Sequence, residues 1–456
     1  MASISPPLSK EEFTSAIDLL RRLIPEEDIR AYALDVSPAT VYTTLVTLWM
    51  LTLQRLGGGP SMSAVIKEVL NNNRQLLPDN KRVREGTLSE RSGAYSKARH
   101  RLPLDVVRSF AERVAESLTE RSPAWFERHL LDGTTITLSP TSPLRKAYPP
   151  ATNQHGGTVW PVMMLMVAHE LQSGCALLPE FGALYGPDNT SEARQAAAIS
   201  RRIPANSLVL ADAGLGIFSV AFAIAGAGHQ FLLRLTKARF KPLCRRAETV
   251  CQTERATRYR LTWIPSAKNR ITHPDLPADA SLDVELHEVE LDNGERLYLV
   301  TTLQVTSDTA ATIYSRRYDV EHEIRDLKVT MEVEKIRAQS DEMVQKELLC
   351  SIVAYNLVLE LRREAAKLAR RPPRRLSFIG VWTTMQTYFL RQPPASADEW
   401  LSRYERALRS AANATLPNRP NRSHPRRAHM RRPKSTKFMK RQANQKLAGE
   451  PPNKPK

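Results

Sequence analysis

The chain has 456 residues, room for about three domain-sized units at one per ~150 residues, and its 42% hydrophobic content supports ordinary buried cores. Its 66 Lys+Arg against 48 Asp+Glu leave a formal charge of +18, which points to a polyanionic partner, nucleic acid first, and away from a purely small-molecule enzyme. Four scattered cysteines (Cys175, Cys244, Cys251, Cys350) exclude a disulfide scaffold and argue against zinc.

Residues 10 to about 120 read as helices, with Ser9 or Thr14 as early caps and Leu45, Leu48, Trp49 and Leu56 at helical spacing before the Gly57-Gly58-Gly59-Pro60 break. Residues 1–122 are thus expected to form an all-α domain. Its basic run (Arg74, Lys81, Arg82, Arg84, Arg91, Lys97, Arg99, Arg101) suits a DNA backbone or a solvated surface. The apolar stretch 41–53 is too short and too rich in threonine to span a membrane, and the first residues carry no basic leader or apolar run, so no export is expected.

After Pro123 short apolar runs replace helical periods, and a sheet-containing domain over 123–370 is expected. Strands are predicted at 129–138, 161–169 and 176–181, the last two joined by a turn at Gln172-Ser173-Gly174. A helix at 191–202, a strand at 208–212, a helix near 218–225 and a strand at 231–235 follow. Three antiparallel strands, helix, strand, helix, strand describe an α/β sheet of ribonuclease-H type at least as well as a doubly wound fold, and the missing helix after the first strand favours the former. Residues 238–304 read as a β-rich insertion with alternation at 258–263, 282–290 and 297–302. Helices are expected at 309–333 and 341–367, then a helical region at 371–412. The tail from Asn413 holds 13 Lys+Arg and one acid, Glu450, so about +12 of the +18 lies there, in a composition expected to be disordered.

Three carboxylates stand out. Asp132 lies within the apolar strand Leu130-Leu131-Asp132, Asp212 ends Leu208-Val209-Leu210-Ala211, and Glu321 sits on the helix after the β-rich stretch. A carboxylate at a buried strand is costly unless paired, capped or bound to a cation. Tyr314, Arg317, Glu321 and Lys328 form Y-x2-R-x3-E-x6-K and share an arc about 60° wide on an ideal helix. Ile313, Val320, Ile324 and Leu327 fill the adjacent arc. Packing by that apolar stripe would aim the polar one at the sheet, where Glu321 meets Asp132 and Asp212. Carboxylates that hold two Mg²⁺ ions are the requirement of phosphoryl transfer, with Arg317, Lys328 and the Tyr314 hydroxyl placed to hold backbone phosphates, although the same spacing suits a surface helix with solvated charge pairs.

These motifs in this order resemble the DDE transposases of bacterial insertion sequences, specifically the insertion-sequence-four family with its Y-R-E-K signature. The resemblance covers most of residues 40–435, including Thr47-Leu48-Trp49, the stretch 94–103, Leu131-Asp132-Gly133-Thr134-Thr135, the Y-R-E-K helix, 337–347 and His424-Pro425-Arg426-Arg427. It implies a ribonuclease-H-like catalytic domain with a β-strand insertion, Asp132, Asp212 and Glu321 as the catalytic, metal-binding triad, and Tyr314, Arg317 and Lys328 as contacts to transposon-end DNA. It also implies a base-stacking aromatic from the insertion, for which Tyr298 is the candidate, with Trp263 behind it. The chain departs from the family after the first aspartate, at Ser139 to Pro149, and at Ala213, where relatives often carry Arg. The implied activity is cut-and-paste transposition, with end nicking, hairpin formation and strand transfer. Mg²⁺ would be used, with Mn²⁺ as substitute. The partners would be terminal inverted repeats and target DNA, bound by a homodimer without membrane involvement, in the bacterial cytoplasm at the nucleoid. The alternatives are a DNA-binding protein derived from a transposase that has lost catalysis, and a stand-alone metal-dependent nuclease of the same fold.

Overall fold

A computed structural model describes residues 37–417, except 38, 73, 75–76, 121–127, 154–155 and 391–395. The early caps at Ser9 and Thr14 and the basic tail from residue 418 lie outside the described residues.

The chain opens with α1 (Thr44–Leu56), α2 (Met62–Asn72), α3 (Lys81–Arg84), α4 (Gly93–Arg101) and α5 (Leu104–Glu120). Helix α1 starts where the Thr43 hydroxyl accepts from the Val46 N–H and stops at Gly57. Next come β1 (Arg128–Thr137), α6 (Ser142–Ala147), β2 (Pro150–Asn153), β3 (Gly156–Glu170) and β4 (Glu180–Ala183). They are followed by α7 (Glu192–Ser200), β5 (Leu208–Ala211), α8 (Phe218–Gly226), β6 (Gln230–Arg234) and α9 (Lys237–Cys244). Then follow β7 (Glu248–Gln252), β8 (Ala256–Trp263), α10 (Ala267–Thr272), β9 (Leu282–Glu290) and β10 (Arg296–Thr301). The last elements are α11 (Ser307–Ser315), α12 (Tyr318–Arg325), α13 (Asp341–Leu368), α14 (Phe378–Met385) and α15 (Ala397–Asn413).

The strands form one mixed sheet in the order β2-β3-β1-β5-β6-β10-β9-β8-β7, with β4 also on β3. Among the described residues only the pairs β1–β5 and β5–β6 are parallel. The expected run of three antiparallel strands, helix, strand, helix, strand is present up to β6. Strands β7–β10 extend the same sheet, because β10 pairs with β6. The expected strand at 176–181 is displaced: Ala176 makes a single bridge to His169, and regular pairing resumes only beyond Pro179, which has no N–H to donate. Residues 237–244, read as β-like, are a helix capped by Thr236.

Alternation along the strands sends side chains to two layers. Leu130, Leu208, Leu210, Leu232 and Leu299 face α11 and α12, where Tyr314 and Val320 are buried with them. Leu131, Val209, Ala211, Leu233 and Val300 face α7 and α8. Residues at the far end of β1 and β3 join a third core with the helices that precede and follow the sheet. Its axis is α13, buried along nearly its whole length and flanked by α1, α5 and α15. Arg99, read as part of a basic surface, is buried there. Glu347 of α13 accepts from Arg55 at 2.7 Å and from Arg99 at 2.5 Å, and Lys346 Nζ donates to the Arg99 carbonyl at 3.0 Å.

Two buried histidines make the fold acid-sensitive. Burial, with the neighbouring His229 and His169, takes His129 down to about 3, and burial with Arg258 takes His287 down to about 4. Both are neutral when folded, whereas the unfolded chain takes up protons below its ordinary histidine range. Stability is therefore lost as pH falls below about 6.5 and continues to fall toward the folded values, at up to about 1.4 kcal/mol per pH unit for each. Urea midpoints measured from pH 7 to pH 5 should drop, and His129→Leu should flatten that slope.

Candidate active site

Asp132 and Asp212 are brought together by register. Leu131 pairs with Ala211 across the parallel β1–β5 ladder, so each aspartate follows directly after a paired position. By alternation both point to the α11–α12 side. Asp132 Oδ1 accepts from the Gly133 N–H at 2.9 Å, and Asp212 Oδ1 accepts from Gly214 and Leu215 N–H at 2.8 and 3.3 Å. The loop after Asp212 is braced by Arg239 of α9, which donates to the carbonyls of Ala213 and, at 3.2 Å, Gly216. Gly216 has no alternative there: a Cβ would lie 2.0 Å from the Arg234 carbonyl oxygen.

The signature helix is broken rather than continuous. At Arg316 and Arg317 three-residue turns replace four-residue ones, with Arg317 N–H to Tyr314 O at 2.9 Å and Val320 N–H to Arg317 O at 3.1 Å. After α12 the chain widens into a π-turn over Asp326–Thr330. The polar residues nevertheless stay on the β1 side. Arg317 donates to Glu321 Oε1 at 2.8 Å and lies within electrostatic reach of Asp132. Lys328 donates to Thr134 Oγ1 at 3.3 Å, two residues beyond Asp132 on the same strand face. Tyr314, 3% exposed, sits beneath, with no hydrogen-bond partner for its hydroxyl among the described residues. Burial holds that hydroxyl well above the ordinary phenol range, opposed by Arg317 and Arg234 and reinforced by Asp212.

From the underside α12 is pinned by Glu323, which is buried against Tyr355, Arg374 and His169. This fixes where Arg317 and Glu321 project. Glu321 itself is 43% exposed in its side chain and turned to Arg317.

The electrostatics are those of crowded anions. Asp132 is pushed up to about 6, first by burial, with Asp212 and Glu192 adding to the shift and the Gly133 N–H and Arg317 opposing it. Glu192, which no sequence motif singles out, is raised by desolvation and by Asp212. The donors are carboxylate oxygens, the chemistry a hard divalent cation prefers, and the absence of a Cβ at Gly133 and Gly214 is what lets the Glu192 and Asp212 oxygens come so near. Among the described residues no three acidic, His or Cys side chains are gathered tightly enough to hold an ion as they stand.

The structure therefore joins Asp132, Asp212, Arg317, Tyr314 and Glu192 directly, Glu321 through Arg317, and Lys328 along β1. It does not bring in Tyr298. That ring lies on the α7–α8 side, 8% exposed, 4.7 Å from Phe240, with the Lys241 ammonium 5.9 Å away. Trp263 is likewise in that core, edge-on to Phe218 at 5.4 Å. No helix among the described residues is long and apolar enough to cross a membrane.

Comparison with known proteins adds three findings. The family model of the transposase DDE domain matches residues 127–357. No curated protein matches this chain in sequence. Among solved structures, the cryo-EM piggyBac transposase synaptic complex with hairpin DNA aligns at TM-score 0.43 and 8% identity, over 90% of this chain and 87% of that one.

Proposed function

The chain belongs to the transposase DDE-domain family, whose model spans more than half of it, and on that premise we propose that it is a DNA transposase of the insertion-sequence-four kind. It cuts the ends of a mobile element and joins them to target DNA. The observation that carries this reading is the placement of Asp132 and Asp212 directly after paired positions of β1 and β5, with the Arg317–Glu321 pair within electrostatic reach of Asp132.

A ribonuclease-H-like reading of the fold is supported by the element order from β1 to β6, with β7–β10 as the insertion before the Glu321 helix. Divalent metal, Mg²⁺ with Mn²⁺ as substitute, would be held by Asp132, Asp212 and Glu321 and would supply activation of the attacking oxygen and charge for the departing one. The chain's own cations do the positioning. Arg317 and Lys328 receive the phosphates either side of the cut, and the Tyr314 hydroxyl gains the partner it lacks. A phosphate arriving at Arg317 competes with Glu321 for the guanidinium, which frees Glu321 to swing toward the aspartates. Water attack gives a nick with a free 3′-OH, and attack by such a 3′-OH gives a hairpin or a strand-transfer product. All are in-line displacements at phosphorus, and one site serves them. Two ends held together call for a homodimer.

A second reading, a DNA binder without catalysis, is favoured by one observation: Glu321 faces Arg317 and not the aspartates. The two separate in a strand-transfer assay with pre-cut inverted-repeat ends and supercoiled plasmid. The transposase joins ends in the presence of Mg²⁺, and Arg317→Ala should lower both joining and end binding, whereas the binder retains the DNA and joins nothing.

A further inference from the structure

We propose that Glu192 is a fourth carboxylate of this site, presented to the same divalent cation as Asp132 and Asp212 but from the opposite layer of the molecule. The inference rests on the functional reading above and adds a residue to it.

Asp132 and Asp212 project toward α11 and α12, whereas Gly133 faces the α7–α8 layer with Leu131. Glu192 is in the first turn of α7. The Ser191 hydroxyl accepts from the Arg194 N–H at 3.2 Å, Gln195 donates to the Met164 carbonyl at 3.3 Å, and Ala196 and Ile199 are buried against the sheet, so the start of α7 is fixed. Glycine at 133 is what lets the Glu192 carboxylate reach this edge: a Cβ there would lie 2.9 Å from Glu192 Oε1. A Cβ on Gly214 would lie 3.0 Å from Asp212 Oδ1 and 3.7 Å from Glu192 Oε2, so the two carboxylates flank one small space.

Glu192 has no hydrogen-bond or ion-pair partner among the described residues, although Arg194 is two positions away on its own helix. Glu192 is exposed, so water solvates it without metal, and its free carboxylate oxygens beside those of Asp212 are the hard donors a divalent cation takes. Independently, the buried Tyr314 hydroxyl, also without a partner, lies in the field of Asp212. The α11–α12 layer thus carries an unmet polar group within the field of Asp212.

The test is Mn²⁺ binding to the full-length chain without DNA, read by electron paramagnetic resonance, with melting curves in the absence of metal. Wild type should bind Mn²⁺, Asp132→Asn should lose it, and Glu192→Gln should weaken it by roughly 10-fold or more with an unchanged or higher metal-free melting temperature. Gly133→Ala supplies a second test, because it displaces the Glu192 carboxylate without altering its charge, and the same weakening is expected. Wild-type affinity in both Glu192→Gln and Gly133→Ala, with loss in Asp132→Asn, would overturn the role of Glu192 and leave the transposase reading standing. A wild-type chain that takes up no Mn²⁺, or one unaffected by Asp132→Asn, would overturn both.

Discussion

Asp132→Asn and Asp212→Asn should each lower strand cleavage by at least ~10³-fold while DNA binding stays within about twofold of wild type. Asparagine keeps the shape and the acceptor oxygen. The backbone N–H groups of Gly133, Gly214 and Leu215 that now bond the two carboxylates would still find a carbonyl oxygen to donate to. What is lost is the anion. Asp132 is held among Asp212 and Glu192, so neutralising it relieves repulsion and should leave the melting temperature equal or higher. Gel-shift titration, melting and end cleavage on the same preparations check this. Loss of binding together with cleavage would assign the aspartates to folding.

Glu347→Ala should be the most destabilising single substitution of those considered, by about 3–5 kcal/mol, because it leaves two buried guanidiniums unpaired. Arg55 and Arg99 come from α1 and α4 and converge on this carboxylate of α13, each side chain at most a tenth exposed. Burial already lowers the Arg55 pKa, with Glu347 opposing the shift. Glu347→Gln keeps an acceptor for both arginines and should cost less. Urea unfolding at pH 7 orders the three proteins, and equal midpoints would show the cluster to be energetically silent. The damage should fall on the helical core built around α13.

Much of this architecture is written locally. Strand β1 is an apolar run interrupted by Asp132 and β5 is one followed at once by Asp212, α7 starts at the Ser191 cap and α8 is a run of small and apolar residues, so the layer that holds Asp132 and Asp212 was legible. So was the spacing of Tyr314, Arg317, Glu321 and Lys328, and Val320, Ile313 and Ile324 do pack on the sheet as their arc requires. The break at Arg316 and the π-turn at Asp326–Thr330 were not legible, because an ideal-helix projection assumes one rotation per residue throughout.

Long-range information is what the local pattern lacked. Nothing in residues 93–101 marks Arg99 as the buried partner of a glutamate some 250 positions away. Alternation at 297–302 showed a strand but not which face is covered, and Tyr298 turns inward to Phe240. Glu192 has the look of any acidic residue in a first helical turn. Only the sheet shows that this turn opens over Gly133. The one signal available in advance was the glycine directly after Asp132, in a strand where a side chain would otherwise be expected.

The most direct test of the account is nicking of a DNA fragment that carries the inverted repeats flanking this gene, in Mg²⁺ or Mn²⁺, by wild type and Glu321→Ala. Wild type should make metal-dependent cuts at the repeat ends and Glu321→Ala none, with both proteins bound to the ends. Equal cutting by the two proteins, or cutting without regard to the repeats, would contradict it.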